Sequence, residues 1–286
     1  MKTHLLSYTA LALMIAASPA QQTTQTPAEK LGWKLAVHSY TFKQFPIFDA
    51  IDKTSSLGIP YMSISGSVNL DSAPKASTMS VGDKDLNAIT EKLKARGIHD
   101  KFVNMGVVQL PADETQSRKV FEFAKKMGIE ILVAEPAETA MDTVEKLCKE
   151  YNIKVAIHNH PKPSHYWNPD TVLAAIKGRS PLIGACADTG HWVRSGLDPL
   201  ECLKKLQGHI LCLHFKDLSE KSPKAHDVPW GTGISNAKGM MQELKTQGFK
   251  GAFCVEYEYH WENSSPEIAE CAKFFDATCK ELAGAP

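Results

Sequence analysis

The chain has 286 residues, with 32 Lys and Arg balanced by 32 Asp and Glu, so its formal net charge is zero. No basic run offers a footprint for phosphates, which argues against nucleic acid as a partner. The length exceeds an ordinary domain, but an α/β barrel commonly runs to about 250 residues as one unit, so a single domain is expected.

In chain order, Met1-Lys-Thr-His, the apolar run Leu5 to Ala17 and then Ser18-Pro-Ala20 have the layout of a secretory signal. The run of 13 residues is too short to cross a bilayer, which needs roughly 20, and no cysteine follows it to carry a lipid. Residues 1–20 are read as a cleaved signal peptide and 21–30, polar and Thr-rich, as a disordered leader. Residues 31–286 are the mature domain, periplasmic or secreted. The seven cysteines are odd in number, absent before Cys148 and free of any Cys-x-x-Cys pair, which supports neither a zinc knuckle nor a redox motif. Most are expected in the core.

One pattern then recurs. An amphipathic helix closes at Gly or Asn and an apolar residue immediately starts a strand, at Gly58-Ile59, Gly97-Ile98, Gly128-Ile129, Asn152-Ile153 and Gly248-Phe249. Strands read from these stops span 35–40, 61–65, 101–108, 130–134, 154–158, 183–187, 210–214 and 252–257. Val120, Phe123, Ala124 and Met127, and then Val144, Leu147 and Cys148, have helical spacing. Asn168-Pro169 and Asp198-Pro199 mark helix starts. Eight βα units with no break in composition predict an α/β fold, a closed (β/α)8 TIM barrel, rather than an open doubly wound sheet.

Four of the later strands end in a side chain that binds metal or carries protons: His158, Asp188, His214 and Glu256. Buried parallel strands emerge where barrel enzymes keep their chemistry. A mixed imidazole and carboxylate set suits a divalent zinc, manganese, cobalt or iron(II) ion more than magnesium. Glu135 closes the fourth strand as a fifth ligand, a base, or a cap on the next helix. His160, two residues past His158, is a candidate for proton transfer, with Asn159 facing away. His191 and Lys216 add donors at the mouth: His191 and Glu258 for substrate, Lys216 as an acid or base with a depressed pKa. Asp217 is expected to orient a ligand. Trp230 offers a flat face for a sugar, or packs on the barrel rim.

These segments, His158-Asn-His-Pro161, Ala187-Asp-Thr-Gly-His191, Leu213-His-Phe-Lys-Asp217, His226-Asp-Val-Pro-Trp-Gly-Thr-Gly233 and Val255-Glu-Tyr-Glu258, resemble the xylose-isomerase-like barrels of the AP-endonuclease superfamily, the sugar phosphate isomerases/epimerases. The resemblance extends from Tyr40-Thr-Phe42 to Glu267-Ile-Ala-Glu270. It implies a metal held at the ends of strands five to eight, usually by Glu, Asp, His and Glu. Asp188, His214 and Glu256 fall on the last three, and His158 stands where many members have the first glutamate. It also implies proton abstraction by the histidine at position 160, as in dehydratase members. Ser63 stands where relatives carry a glutamate on strand two.

The expected activity is isomerisation or epimerisation of a free sugar or keto-sugar, in which His160, Glu256 or Lys216 abstracts an α-proton to give an enediolate. Lyase or hydratase chemistry on a 3-keto-glycoside, and a non-catalytic metal-containing sugar-binding module, are the alternatives. The partner is a small-molecule carbohydrate, with neither nucleic acid nor, after signal cleavage, membrane. No sequence feature sets the oligomeric state.

Overall fold

The eight apolar stretches become eight parallel strands whose neighbours in space are mostly neighbours in sequence. The computed structural model describes residues 25–70 and 76–284. The strands are β1 Trp33–His38, β2 Tyr61–Ser63, β3 Met105–Val108, β4 Ile131–Ala134, β5 Lys154–His158, β6 Ile183–Asp188, β7 Ile210–Phe215 and β8 Gly251–Val255. They pair in the order β2-β1-β8-β7-β6-β5-β4-β3. The seam between β2 and β3 closes through an Ile64–Met105 bridge and the bonds Val103 N to Met62 O and Gly106 N to Ile64 O. The expected single-domain TIM barrel is therefore the observed one. The third strand starts at Met105 rather than Lys101, because the preceding residues bond to β2 without regular strand geometry.

Around the barrel lie α1 Pro27–Leu31, α2 Ile47–Ser56, α3 Asp83–Ala95, α4 Glu114–Lys126, α5 Met141–Tyr151, α6 Pro169–Ile176, α7 Thr189–Arg194, α8 Pro199–Lys205, α9 Ala237–Thr246 and α10 Ser265–Gly284. All five expected helix stops have positive φ. Asn152, at φ 53°, shows why asparagine can replace glycine there: it is among the few side chains that tolerate the left-handed region. Asn168 and Asp198 cap α6 and α8 as read from the sequence. On α4 it is Phe121, not Phe123, that is fully buried. Among the described residues no helix is long and apolar enough to cross a membrane.

The expectation of a disordered leader over 21–30 fails for its last four residues, which lie in α1. Thr26 Oγ1 accepts from Glu29 N at 3.2 Å, and Glu29 accepts from Thr26 N at 2.7 Å. With Pro27 in the first turn this is a capping box, and it starts a helix that packs on α10. Residues 21–24 of that reading, and the signal peptide at 1–20, lie outside the described residues.

Residues two apart on a strand share a face. Ala36 and His38, Ala156 and His158, Cys186 and Asp188, Cys212 and His214, and Cys254 and Glu256 therefore form two successive buried layers inside the barrel. All seven cysteines are free and buried, in agreement with a core role.

Candidate metal centre and its cavity

At the C-terminal rim, His158, Asp188, His214 and Glu256 come from four adjacent strands, and each offers a ligand atom within 4.8 Å of the others. All four side chains are buried. His158 Nε2 lies 3.6 Å from Asp188 Oδ2, and His214 Nδ1 lies 3.0 Å from Glu256 Oε2. Yet His158 Nε2, both ring nitrogens of His214 and Glu256 Oε2 have no partner with hydrogen-bond geometry. A buried polar atom left without a partner costs about 1–3 kcal/mol, and several converge here. Carboxylates also outnumber cations at this rim, with Glu135, Asp188, Asp227, Glu256 and Glu258 around Lys216 and Arg194. Convergent lone pairs and excess negative charge fit a divalent cation, and the two-nitrogen, two-oxygen donor set agrees with the sequence-based expectation.

Glu135 does not join that group. It forms a second one with His158 and His160, accepting at Oε1 from His158 Nδ1 at 3.0 Å and from His160 Nδ1. It does not cap the following helical turn, where Ala137 occupies the N-cap. Burial would raise the Glu135 pKa, but its hydrogen bonds to the two imidazoles bring it down to about 2. As an ionised acceptor it fixes a proton on each Nδ1 and leaves each Nε2 as the nitrogen with a lone pair to offer. For His158 that nitrogen faces the ligand cluster. Burial would lower the His158 pKa, but hydrogen bonds to Asp188 and Glu135 push it up to about 9 in the absence of a cation. His160 is half-exposed, stacked on His191 with ring centroids 5.4 Å apart, and lines the cavity.

Lys216 departs from expectation. It is fully buried, with Nζ 2.8 Å from Asp188 Oδ2, 2.8 Å from Glu256 Oε2 and 3.0 Å from Glu258 Oε2. Burial would depress its pKa, but Asp188, Glu256 and Glu258 hold it well above the ordinary value. The depressed pKa expected of Lys216 is therefore not found: three carboxylates close around the ammonium and favour its charged form. Burial alone would raise Asp188 and Glu256; their cationic and imidazole neighbours hold both well below the usual carboxylate range.

His191 does reach the cavity. Its Nδ1 lies 3.1 Å from Arg194 Nη1, and Arg194 also binds Glu258 at 2.6 Å and Asp227 at 2.8 Å. Because guanidinium only donates, Nδ1 must accept, so the proton sits on Nε2. Burial lowers the His191 pKa to about 3, which keeps it a neutral donor. Burial also pushes Asp227 up to about 7, against the pull of Lys216 and Arg194.

The cavity of about 220 Å³ is lined by His38, Tyr40, Ser65, His158, His160, His191, Glu256 and Glu258, among others. His38 was missed in the sequence although it ends β1 as His158 ends β5. Its Nδ1 accepts from Tyr40 N at 3.0 Å, its Nε2 donates to Gly106 O at 3.1 Å, and its ring meets His214 edge-on at 4.7 Å. Arg194 was missed too, because its carboxylate partners Asp227 and Glu258 lie more than 30 residues away.

Two assignments are corrected. Trp230 is 2% exposed and packs edge-on against Phe215 at 4.7 Å, on the outer side of β7 away from the cavity, so no sugar can stack on it. Asp217 orients no ligand: it accepts from the backbone N–H groups of Leu218, Gly231, Gly233 and Ser235, which ties down the loop after β7. Ser63 lies beneath the cavity, where its hydroxyl donates to Asn104.

The sequence profile described as "Xylose isomerase-like TIM barrel" matches residues 51–278. An inosose dehydratase from Lacticaseibacillus casei is 25% identical over 162 residues, 50% of this chain and 54% of that protein. An inosose dehydratase from Clostridium tetani is 28% identical over 142 residues, 44% of this chain and 47% of that protein. The chain thus spans about half the length of these curated relatives. A crystal structure of an uncharacterised protein from Parabacteroides distasonis is 35% identical with a TM-score of 0.67, covering 85% of this chain and 98% of that one. Two more distant structures share the fold: a Mycobacterium smegmatis xylose isomerase-like barrel in complex with magnesium (14% identity, TM-score 0.71, 91% and 100% covered) and the IOLI protein with a zinc atom (16%, 0.67, 88% and 100%).

Proposed function

The chain belongs to the xylose isomerase-like TIM barrel family, and from that premise we propose that it is a metal-dependent enzyme that removes the proton beside a carbonyl in a small sugar or cyclic polyol ketone. The observation that carries this reading is the Glu135–His160 pair, set at the cavity beside the buried ligand cluster. His158 Nε2, Asp188, His214 and Glu256 would hold the cation, and the two imidazoles favour zinc, manganese, cobalt or iron(II) over magnesium. Bound there, the ion supplies Lewis acidity at the carbonyl oxygen. The fold neighbours that carry zinc or magnesium support a metal in this family.

His160 Nε2 is the base. Its Nδ1–H is held by ionised Glu135, which stabilises the imidazolium formed when the α-proton is taken, the logic of an oriented histidine general base. His191 presents a neutral Nε2–H to a substrate oxygen. Lys216 keeps Asp188, Glu256 and Glu258 in place, and the buried walls exclude water.

One proton-transfer pair serves one face of the substrate. On the opposite side of the barrel, His38 is tied through both ring nitrogens; Lys216, after β7 and beside Asp188, is locked by three carboxylates. Epimerisation by inversion needs a second acid–base group across the substrate, so this arrangement favours same-face chemistry. We infer elimination of water: His160 takes the α-proton, the C–O bond at the next carbon breaks, and the same proton leaves with the hydroxyl. The inosose dehydratase relatives support this outcome. Same-face isomerisation uses the same groups and is the second reading. We further propose that residues 1–20 direct export, so that the substrate is met outside the cytoplasm.

The test is proton exchange. The purified chain loaded with manganese, cobalt or zinc should exchange the α-hydrogen of a keto-inositol or 3-keto-glucose in deuterium oxide and release an unsaturated ketone, followed by NMR. Binding of these compounds with neither exchange nor elimination would instead mark a non-catalytic binding module.

A further inference from the structure

Past β8 the chain carries two carboxylates, Glu256 and Glu258, and both line the cavity. The candidate metal centre uses only the first. Glu258 Oε2 accepts from two cations, Arg194 Nη1 at 2.6 Å and Lys216 Nζ at 3.0 Å, which hold the carboxylate in place and favour its ionised form. Both grips fall on Oε2, which leaves Oε1 outside them. The backbone is anchored too, because Glu258 N–H donates to Asp227 Oδ2 at 3.3 Å.

These charges are layered. The Lys216 side chain is 0% exposed, that of Arg194 10% and that of Glu258 19%. Among the described residues that line the cavity there is no lysine or arginine, so the two cations lie behind the wall and the carboxylate lies at its surface. Lys43 stands outside the cavity as well: it donates to Tyr40 Oη at 3.3 Å, with its ammonium 3.5 Å from the Trp261 ring centroid. Asp188 and Glu256 would offset the charge of a divalent ion at the candidate centre, so the ion does not reverse the sign of this wall. A carboxylate oxygen can only accept. It suits a hydroxyl, which has a proton to give, and opposes an anionic group, which brings charge of the same sign.

We propose that Glu258 determines specificity in the cavity: its Oε1 accepts from a substrate hydroxyl and its charge turns away sugars that carry an anionic group, so the substrate class is a neutral polyhydroxylated ketone. The inference rests on the carbohydrate reading of the site given above. Proton exchange in deuterium oxide is followed by NMR on the metal-loaded chain with a keto-inositol, 3-keto-glucose and a monophosphate of each. A neutral ketone that exchanges should show kcat/KM at least about tenfold above its monophosphate, because like charge met in a partly dried cavity is costly. Glu258→Gln keeps the shape and one acceptor oxygen but removes the charge. In that variant the ratio should fall about tenfold, through a lower KM for the monophosphate and a higher KM for the neutral ketone. Glu258→Asp, which keeps the charge, should keep the preference for the neutral ketone. Partial unfolding cannot produce a gain of phosphate use, and the wild-type comparison needs no variant. A monophosphate exchanged by the wild-type chain as well as its neutral ketone overturns the proposal, and so does a ratio unchanged in Glu258→Gln. In either case the carboxylate is only a counter-charge for Lys216 and Arg194, and the carbohydrate reading stands. Exchange of none of the four compounds overturns this proposal together with that reading.

Discussion

Cys186, Cys212 and Cys254 lie one inward step below Asp188, His214 and Glu256 on the same three strands, and every one of these six side chains is buried. The lower layer, completed by Ala36 and Ala156, is small and neutral, and burial pushes its Cys186 and Cys254 thiols far up, so they stay protonated. The upper layer holds carboxylates and imidazoles with atoms that lack partners. Equal burial thus has opposite meanings. Below, it closes the barrel against water. Above, it places charges in the low-dielectric ground where each attraction is strong and each missing partner is costly.

The largest effects should come from cutting into the upper layer. Asp188→Ala and His214→Ala should each abolish metal retention and turnover, read by metal analysis and by proton exchange. Asp188→Ala also removes one of the three carboxylates around the buried Lys216, which should cost about 3–5 kcal/mol in denaturant unfolding. His160→Ala should lower turnover by about 10²–10⁴-fold while metal content stays unchanged, separating the base from the ligands.

A pH titration of the metal-free chain sharpens the contrast, because only the upper layer ionises in the ordinary range. Burial holds His38 and His191 at about 3, below the unfolded value near 6.5. Their folded pKa is depressed, so stability should fall as pH drops from 6.5 towards 3, by on the order of a few kcal/mol. His158, raised to about 9, has the opposite sign: its contribution is complete below pH 6.5 and is lost as pH rises through 9. The melting temperature should therefore decline on both sides of about pH 6.5, and the alkaline decline should vanish in His158→Gln. The smallest effect belongs to the lower layer: Cys212→Ala should cost about 1–2 kcal/mol and leave metal content intact.

The barrel was legible because buried parallel strands are continuous apolar runs, so a polar residue at the end of one stands out. That rule found His158, Asp188, His214 and Glu256, and it should have found His38, which was hidden when the first strand was read on through Tyr40. What the rule cannot read is the state of a group. Lys216 is favoured in its charged form because carboxylates some 30 and 40 residues away close around it, and spacing along one strand holds no trace of them. For Trp230 the sequence left a sugar face and rim packing both open, and packing is what is found: its partner Phe215 points outward from the strand whose inward residues define the site. Thr26 and Glu29, three apart in a polar stretch, were a capping box that composition concealed.

The central claim is that four strand ends converge on one cation. Anomalous diffraction from crystals grown with zinc or manganese tests it most directly. The account predicts one strong peak per chain within bonding distance of His158 Nε2, Asp188, His214 and Glu256, lost in His214→Ala; a peak at another place, or none between those four side chains, would contradict it.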